Sequence, residues 1–161
     1  MTHALNLNAP VDTLAMDFTR EFDAPVAAVY RAHAEPELVK QWLGPARNEM
    51  EIERWDFRSG GGYRYVHRGP DGSEYWFNGV FHTVRPNEFV IQTFEFEGAP
   101  DMVNLEFLTF DELGGRARLR GRSVCPNTEA RDAILASGME DGMREGYERL
   151  DQVLKADASA R

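Results

Sequence analysis

The feature that most constrains the fold is an uninterrupted series of strand-like segments in the middle of the chain. Each segment is rich in β-branched and aromatic residues, and turn signals of Gly, Pro, Asn and Asp separate it from the next. Short connections without intervening helices favour antiparallel neighbours, because parallel strands need longer crossover connections. The pattern therefore predicts an antiparallel meander. Its strands are expected near residues 49–57, 62–68, 74–84, 88–96, 102–110 and 115–124.

The most informative hairpin of this series covers residues 59–82, with a Gly-Pro-Asp-Gly turn at residues 69–72. Side chains alternate between the two faces of a strand, and the arginines of the first strand mark its solvent-exposed face. The opposite face combines aromatic rings with polar groups, which suits the wall of a ligand cavity. An ordinary core whose hydroxyls reach outward is the alternative. The inward-facing side chains are predicted to include Tyr63, Tyr65, His67, Phe77 and Phe81.

The same alternation assigns faces to the next two strands. Glu95 marks the outer face of its strand, so Phe94 is predicted to point inward. In the strand after that, Glu106 is assigned to the outer face, and Phe107 is then inward. A shift of one residue at a β-bulge would exchange the two faces.

The segment before the meander predicts one further strand and two short helices. The strand is expected near residues 14–22. Asp23-Ala24-Pro25 and Glu35-Pro36 begin the two helices, because proline is tolerated in the first helical turn. In the second helix Trp42 belongs to an apolar stripe that ends at Gly44-Pro45.

A long amphipathic helix is predicted near the C-terminus, with an interruption near Gly138 and with Met139 and Met143 on its apolar side. Gly138, Gly142 and Gly146 recur along this segment. A glycine inside a helix costs about 1 kcal/mol relative to alanine, so the three need a reason. Two compatible interpretations are open: close approach of the helix to the sheet, and space for a ligand beneath the helix.

Composition disfavours several classes of function. The net charge of −9, without a basic cluster, disfavours binding to nucleic acids and to anionic membrane surfaces. No apolar run approaches the roughly 20 residues that span a bilayer, so no membrane insertion is expected. The histidines are scattered and Cys125 is the single cysteine, so neither a metal nor another cofactor is predicted. The N-terminus does not resemble a leader sequence, and the chain is expected to be cytoplasmic.

Several motifs, in this order, resemble one known family. They are Phe22-Asp23-Ala24-Pro25, Glu35-Pro36-Glu37-Leu38 with Trp42-Leu43-Gly44-Pro45, Gly61-Gly62-Tyr63-Arg64 with Pro70-Asp71-Gly72, Arg85-Pro86-Asn87-Glu88, and Gly138-Met139-Glu140-Asp141-Gly142-Met143. Over about residues 14 to 156 the chain resembles the activator-of-heat-shock-protein-ATPase-like (AHSA1-type) domains of the START-like, birch-pollen-allergen-like (SRPBCC) superfamily.

The resemblance implies an α+β helix-grip fold. In this fold a curved antiparallel sheet of six to seven strands wraps around a long C-terminal helix. Two short helices follow the first strand, and a cavity lies between the sheet and the long helix. Residues 12–156 are expected to form a single domain, flanked by flexible tails at residues 1–11 and 157–161.

The resemblance also implies the kind of function. Family members bind hydrophobic or amphipathic small molecules and share no catalytic residues, so no catalytic residue is carried over. Met143 replaces a large aromatic residue that many relatives have at this position. The expected partner is a small hydrophobic or aromatic ligand. The predicted site is lined by Trp42, Tyr63, Tyr65, His67, Phe77, Phe81, Phe94, Phe107, Met139, Gly142 and Met143.

Two other functions stay open from the sequence. One is an enzyme of the cyclase or hydrolase type that uses His67 or a tyrosine as acid or base. The other is a co-chaperone that stimulates a chaperone ATPase. Co-chaperones of this family carry an additional N-terminal domain, for which the chain has no room, so a chaperone partner is not expected. Both a monomer and a homodimer are compatible with the sequence.

Overall fold

The structure is a computed structural model that describes residues 3–159. Its strands are β1 (Asn6–Asn8), β2 (Ala15–Phe22), β3 (Glu49–Trp55), β4 (Gly62–Arg68), β5 (Glu74–Arg85), β6 (Phe89–Phe96), β7 (Asn104–Leu113) and β8 (Arg116–Val124). Its helices are α1 (Val26–Ala34), α2 (Pro36–Val39), α3 (Thr128–Ala136) and α4 (Met139–Ser159).

The strands form one sheet in the order β1-β2-β8-β7-β6-β5-β4-β3, and each neighbouring pair is antiparallel. Strands β3 to β8 are therefore the meander that the turn chemistry predicts. At the β4–β5 turn the amide of Gly69 donates to the carbonyl oxygen of Ser73 at 2.9 Å, and Gly72 has a φ of +85° that glycine adopts without strain. The α+β helix-grip fold is confirmed, with one strand more than expected.

The additional strand is β1, which lies in the segment predicted as an N-terminal tail. It pairs with residues 17–19 of β2, and the buried Arg131 of α3 donates to the carbonyl oxygens of Ala9 and Pro10 at 2.5 and 2.6 Å. The tail prediction was wrong here because a three-residue strand is too short to show a periodic pattern. Helix α4 also continues past residue 156 to Ser159. Residues 1–2 and 160–161 lie outside the described residues.

The predicted interruption of the C-terminal helical segment is confirmed at Gly138, which lies between α3 and α4 with a φ of +86°. Helix α3 begins at an Asn127 cap, whose side-chain oxygen accepts from the amide of Ala130 at 2.8 Å. Gly138 is consequently a connecting residue and not a helix-interior glycine. The question of why glycine is needed inside the helix then concerns Gly142 and Gly146.

Helix α4 lies across the concave face of the sheet. It buries Tyr147, Leu150 and Leu154, and burial of such a leucine stabilises the fold by about 1.5–3 kcal/mol. A buried ion pair adds a directional contact between helix and sheet: the Arg20 guanidinium of β2 donates to both carboxylate oxygens of Asp151 at 2.9 and 2.7 Å. The C-terminal two thirds of α4 is thereby fixed against the sheet.

Candidate functional site

The concave face of the sheet has two parts that differ in packing. One, the packed half, is fully enclosed by helices α1 and α4 and consists of residues that are at most 6% exposed. The other, the accessible half, faces the same interior but keeps solvent-accessible surface. The packed half comprises Phe22, Phe81, Val90, Phe110 and Leu119. The accessible half comprises Phe77, Gln92, Phe94, Phe96, Glu106 and Ser123.

The structure reverses the predicted faces of β7. Phe107 is 36% exposed and lies on the outer face, whereas Asn104 and Phe110 are buried. Glu106 therefore faces the interior, opposite Gln92 of β6 and Ser123 of β8. The prediction for Phe107 was wrong because it assumed that the more apolar side of this strand must be the covered one.

Glu106 is the centre of a polar cluster on the accessible half. The Gln92 side-chain amide donates to its Oε1 at 3.1 Å, and the Ser123 hydroxyl is also hydrogen-bonded to it. The Asn104 amide in turn donates to the Ser123 hydroxyl oxygen at 3.0 Å. Desolvation by the surrounding protein raises the pKa of Glu106, and the hydrogen bonds from Gln92 and Ser123 lower it by less.

The cluster contains an excess of hydrogen-bond acceptors. Within residues 3–159 no basic side chain forms an ion pair with Glu106. The side-chain carbonyl oxygen of Asn104, a residue only 2% exposed, is buried without a partner. Buried polar groups are normally satisfied, so such an unpaired acceptor calls for a partner that completes it.

Three tyrosines surround this cluster, and they differ in how their hydroxyls are used. Tyr63 donates to the carbonyl oxygen of Thr93 at 2.6 Å, and its ring crosses β5 at Gly79. The hydroxyls of Tyr65 and Tyr147, in contrast, have no hydrogen-bond partner in the described part of the chain. Neither of the two is sealed from solvent, so each is open to water or to a ligand.

Burial raises the pKa of Tyr65 and of Tyr147, and the charge of the nearby Glu106 adds to the shift. Both tyrosines therefore stay protonated at neutral pH and offer O–H donors beside the carboxyl group. Tyr147 is held by stacking on Trp42, with ring centroids 5.7 Å apart.

An aromatic wall borders the polar cluster. Phe77 lies at its centre, with ring centroids 5.2 Å from Tyr65, 5.4 Å from Phe94 and 5.2 Å from Phe96. Rings at such distances interact favourably in offset or tilted arrangements, which keeps the wall in place. The predicted inward orientation of Phe77 and Phe94 agrees with this arrangement.

His67 lies beside the wall but is tightly packed. Its ring contacts that of Phe77 at 5.7 Å and lies against Gly44, where an added Cβ would be 2.5 Å from the His67 Cε1. Burial and the positive charge of Arg149 lower the pKa of His67 to about 4. The imidazole is therefore neutral at pH 7, and its Nδ1 is buried without a partner.

The other predicted site residues on the sheet and on α2 belong to the core. Phe81 is 1% exposed and contacts Phe57 with ring centroids 4.8 Å apart, so it lies in the packed half. Trp42 donates from Nε1 to the carbonyl oxygen of Ala32 at 3.0 Å and is buried. Trp42 is thus one layer removed from the accessible half, behind Tyr147.

On α4, Met139 and Met143 are half-buried, and Met143 packs against the core. The Cβ direction of Gly142 points toward the segment after α2 and not toward the accessible half, since a Cβ added there would meet the Pro45 side chain at 3.5 Å. At Gly146 an added Cβ would lie 2.9 Å from the carbonyl oxygen of Trp42. The helical glycines therefore allow close approach to the segment after α2 and do not create space at the sheet.

Two depressions lie away from Glu106, one on the outer face of the sheet and one at its β3 edge. One, of about 530 Å³, is lined by residues of the N-terminal segment and of β2 and β8, including Thr19, Arg118 and Arg120. The other, of about 360 Å³, lies between α2 and the edge strand β3 and includes Lys40 and Met50. Charged side chains dominate both rims, in contrast to the aromatic wall of the interior.

Among residues 3–159 no group of three or more His, Cys, Asp or Glu side chains has the arrangement of a metal site. None of the helices in that part of the chain is long and apolar enough to cross a membrane.

Five residues of this candidate site were not predicted from the sequence: Gln92, Asn104, Glu106, Ser123 and Tyr147. Glu106 and Asn104 follow from Phe110 in steps of two residues, so an inward Phe110 would have placed both of them correctly. Nothing local indicates that Gln92 and Ser123 lie beside Glu106, because this neighbourhood arises from pairing across three strands.

Comparisons with known proteins agree with the architecture. A family model described as Activator of Hsp90 ATPase homolog 1-like protein matches residues 23–155. A protein of Arthrobacter aurescens has a similar solved structure, with a TM-score of 0.86 and 28% identity over 94% of this chain and 91% of that one. A protein of Rhodobacter sphaeroides is 26% identical, with a TM-score of 0.86 over 94% of this chain and 98% of its own.

Protein Ms6760 of Mycobacterium smegmatis has a TM-score of 0.84 and 25% identity, over 96% of this chain and 99% of its own. No curated protein matches the sequence. Membership of the matched family supports a ligand-binding type of domain. With this fold and a family match that spans most of its length, the chain belongs to the Activator of Hsp90 ATPase homolog 1-like protein family.

Proposed function

We propose that this protein binds an amphipathic small molecule between the sheet and helix α4, on the accessible half of the concave face. The observation that supports this most strongly is the presence of inward-facing polar groups without partners. The buried carbonyl oxygen of Asn104 has no partner within residues 3–159, and the hydroxyls of Tyr65 and Tyr147, which keep contact with solvent, form no hydrogen bond with that part of the chain. A structural core normally satisfies a buried group such as the Asn104 oxygen, whereas a ligand site presents a few polar groups inside an apolar wall.

The wall supplies apolar contact area beside these groups. Phe77 and Phe94 present stacked rings, and Met143 of α4 is half-buried against the core. Methionine is unbranched and flexible, so its side chain adapts to ligands of irregular shape. The proposed ligand therefore has an apolar or aromatic body and one polar end that reaches Glu106.

Binding is favoured over catalysis by His67 on chemical grounds. A pKa of about 4 makes His67 a weak base at neutral pH, and its ring is packed against Gly44. General acid–base catalysis is most efficient when the pKa lies near the working pH. We therefore assign His67 to the support of the wall.

The proposal is tested by a screen of aromatic and amphipathic compounds with the full chain, read by thermal shift. Native mass spectrometry of gently purified protein is the parallel test for a co-purified molecule. For the best compound, dissociation constants are then measured for Phe94→Ala and for the matched control Phe107→Ala, which removes the same ring from the outer face.

Phe94→Ala is expected to weaken binding by about tenfold or more, because a buried ring contributes roughly 1.5 kcal/mol or more of contact. Phe107→Ala is expected to leave the dissociation constant unchanged. The opposite ranking would place binding on the outer surface. A screen without any thermal shift, together with mass spectra of the bare chain, would overturn the proposal.

A further inference from the structure

The polar cluster indicates the chemical class of the ligand. Its hydrogen-bond donors run in one direction: the Asn104 amide donates to Ser123, and Gln92 and Ser123 are bonded to Glu106. The network therefore ends on a carboxyl group. An ionised carboxylate accepts about four hydrogen bonds, so two acceptor positions of Glu106 are left after the bonds from Gln92 and Ser123.

The buried arginines nearest to Glu106 are engaged elsewhere: Arg20 is paired with Asp151, and Arg131 is paired with Asp132 and donates to the carbonyl oxygens of Ala9 and Pro10. Within residues 3–159 no arginine, lysine or histidine forms an ion pair with Glu106. A second acceptor, the buried carbonyl oxygen of Asn104, also has no partner. Glu106 is only partly exposed, and desolvation of a carboxylate is unfavourable, which a cation in contact with it offsets.

The aromatic wall is compatible with an amine that has an apolar body. Phe77 and Phe94, stacked with centroids 5.4 Å apart, supply apolar contact area and no hydrogen-bond donor. An ammonium group has three N–H donors and no acceptor, which matches a site with spare acceptors. A neutral carbonyl compound has an acceptor but no donor, so it would leave the oxygens of Glu106 and Asn104 without a hydrogen bond.

We infer that the ligand is a hydrophobic amine, whose ammonium group contacts Glu106 and whose apolar body lies against Phe77 and Phe94. This inference rests on the proposed binding function and specifies it further. The amine enters as a cation, and at a pH below the pKa of Glu106 the proton of this carboxyl group leaves to solvent as the ion pair forms. Below that pKa, binding is therefore linked to the ionisation of one carboxyl group.

The sign of the pH dependence follows from this linkage. In the free protein the pKa of Glu106 is raised, so below that pKa the amine competes with a proton, and affinity changes by up to about tenfold per pH unit. The other titratable groups near Glu106 come from β4, from α4 and from the segment after β8. Their pKa values are raised, so they remain neutral through this range: Tyr63, Tyr65, Tyr147 and Cys125.

Three more charged or titratable groups on neighbouring elements leave this sign unchanged. Arg20 of β2, which faces Tyr147, is paired with Asp151. His67 of β4 titrates at about 4, and Arg149 of α4 contacts Gly44 beside it. A fall in amine affinity as the pH falls through the raised pKa of Glu106 is accordingly assigned to protonation of this carboxyl group.

The test uses three probes with one ring system and different charge: naphthylmethylamine, naphthylmethanol and naphthoic acid. Dissociation constants are measured by calorimetry with the full chain, for the wild type, for Glu106→Gln and for Glu112→Gln. Glu112 is the matched control, since it is an exposed glutamate on the same strand. Glutamine keeps the size of the side chain and removes only the charge.

The amine is expected to bind at least about tenfold more tightly than the alcohol, and the acid to bind most weakly. Amine affinity should rise with pH while alcohol affinity does not. Glu106→Gln should abolish the preference for the amine and its pH dependence, and Glu112→Gln should change neither.

Equal or tighter binding of the alcohol or the acid would overturn the inference and leave the proposed binding function intact. Failure of all three probes to bind would also overturn it, and the compound screen and mass spectra then decide the broader proposal. If Glu106→Gln does not fold, the sign of the pH dependence in the wild type still decides, because a neutral ligand gives a flat or falling affinity.

Discussion

The two helical glycines of α4 are expected to respond to the same substitution with opposite signs. Replacement by alanine removes the conformational freedom of glycine and is worth about 0.5–1 kcal/mol at either position. At Gly142 the new methyl group would meet Pro45 Cγ at 3.5 Å, an ordinary contact. Gly142→Ala should therefore stabilise the protein by about 0.5–1 kcal/mol.

At Gly146 the methyl group would lie 2.9 Å from the carbonyl oxygen of Trp42 and 3.4 Å from the Gly44 amide nitrogen. These are backbone atoms, and the segment is anchored because the Trp42 ring nitrogen donates to Ala32 and Arg149 donates to Gly44. Relief of the contact requires the helix or this segment to move, and overpacking of that kind costs about 1–3 kcal/mol. The gain in helix propensity is smaller, so the net effect is a loss of about 1 kcal/mol.

The assay is thermal and urea unfolding of the two variants beside the wild type. For a chain of this length 1 kcal/mol corresponds to roughly 2–4 °C in Tm. Gly142→Ala should raise Tm by about that amount and Gly146→Ala should lower it. Shifts of the same sign and size would refute the assignment of Gly146 to a close backbone contact.

Three further predictions concern the grip of the helix and the interior of the sheet. Asp151→Ala leaves the buried Arg20 charge unpaired and should cost about 3–5 kcal/mol in urea unfolding, whereas Asp17→Ala removes an exposed bidentate pair and should cost about 1 kcal/mol or less. Gly79→Ala places a Cβ 2.1 Å from a backbone carbonyl oxygen and should cost about 3 kcal/mol or prevent folding, as circular dichroism would show. The pKa of the Glu106 carboxyl is higher in the folded than in the unfolded protein, so its contribution to stability is fully present below the unfolded pKa and is lost as the pH rises through the folded pKa. The difference in unfolding free energy between wild type and Glu106→Gln should therefore fall across that pH range. A difference that stays constant with pH would contradict the raised pKa.

Local patterns were sufficient to predict most of the fold. Alternation and turn residues placed the strands of the meander within a few residues, and Gly138 was identified as the break between two helices. These features depend on residues close together in the chain, where backbone propensities and turn geometry act directly. The short β1 was missed because its position depends on β2 and on Arg131, far along the sequence.

The site was harder to predict than the fold. Tyr65 and Phe94 were assigned to the correct face because charged residues mark the outer faces of their strands, and Phe77 was assigned correctly by its alternation with Asn78. Glu106 was assigned to the wrong face, because on β7 the side chains of Asn104 and Glu106 face the interior and Phe107 faces outward. A local pattern identifies two faces but not which one a distant helix covers, so the phase of a strand with a polar inner face needs tertiary information.

The location of the ligand on the accessible half is tested most directly by methyl NMR. Met139 and Met143 lie on α4, whereas Leu105, 41% exposed, lies on the outer face of β7 together with Phe107. With isotope-labelled methionine and leucine methyl groups, titration of naphthylmethylamine or of the best screened compound should shift the resonances of Met143 and Met139. The Leu105 resonances should stay in place. A shift confined to Leu105, or saturable binding without any change at Met143, would contradict this location.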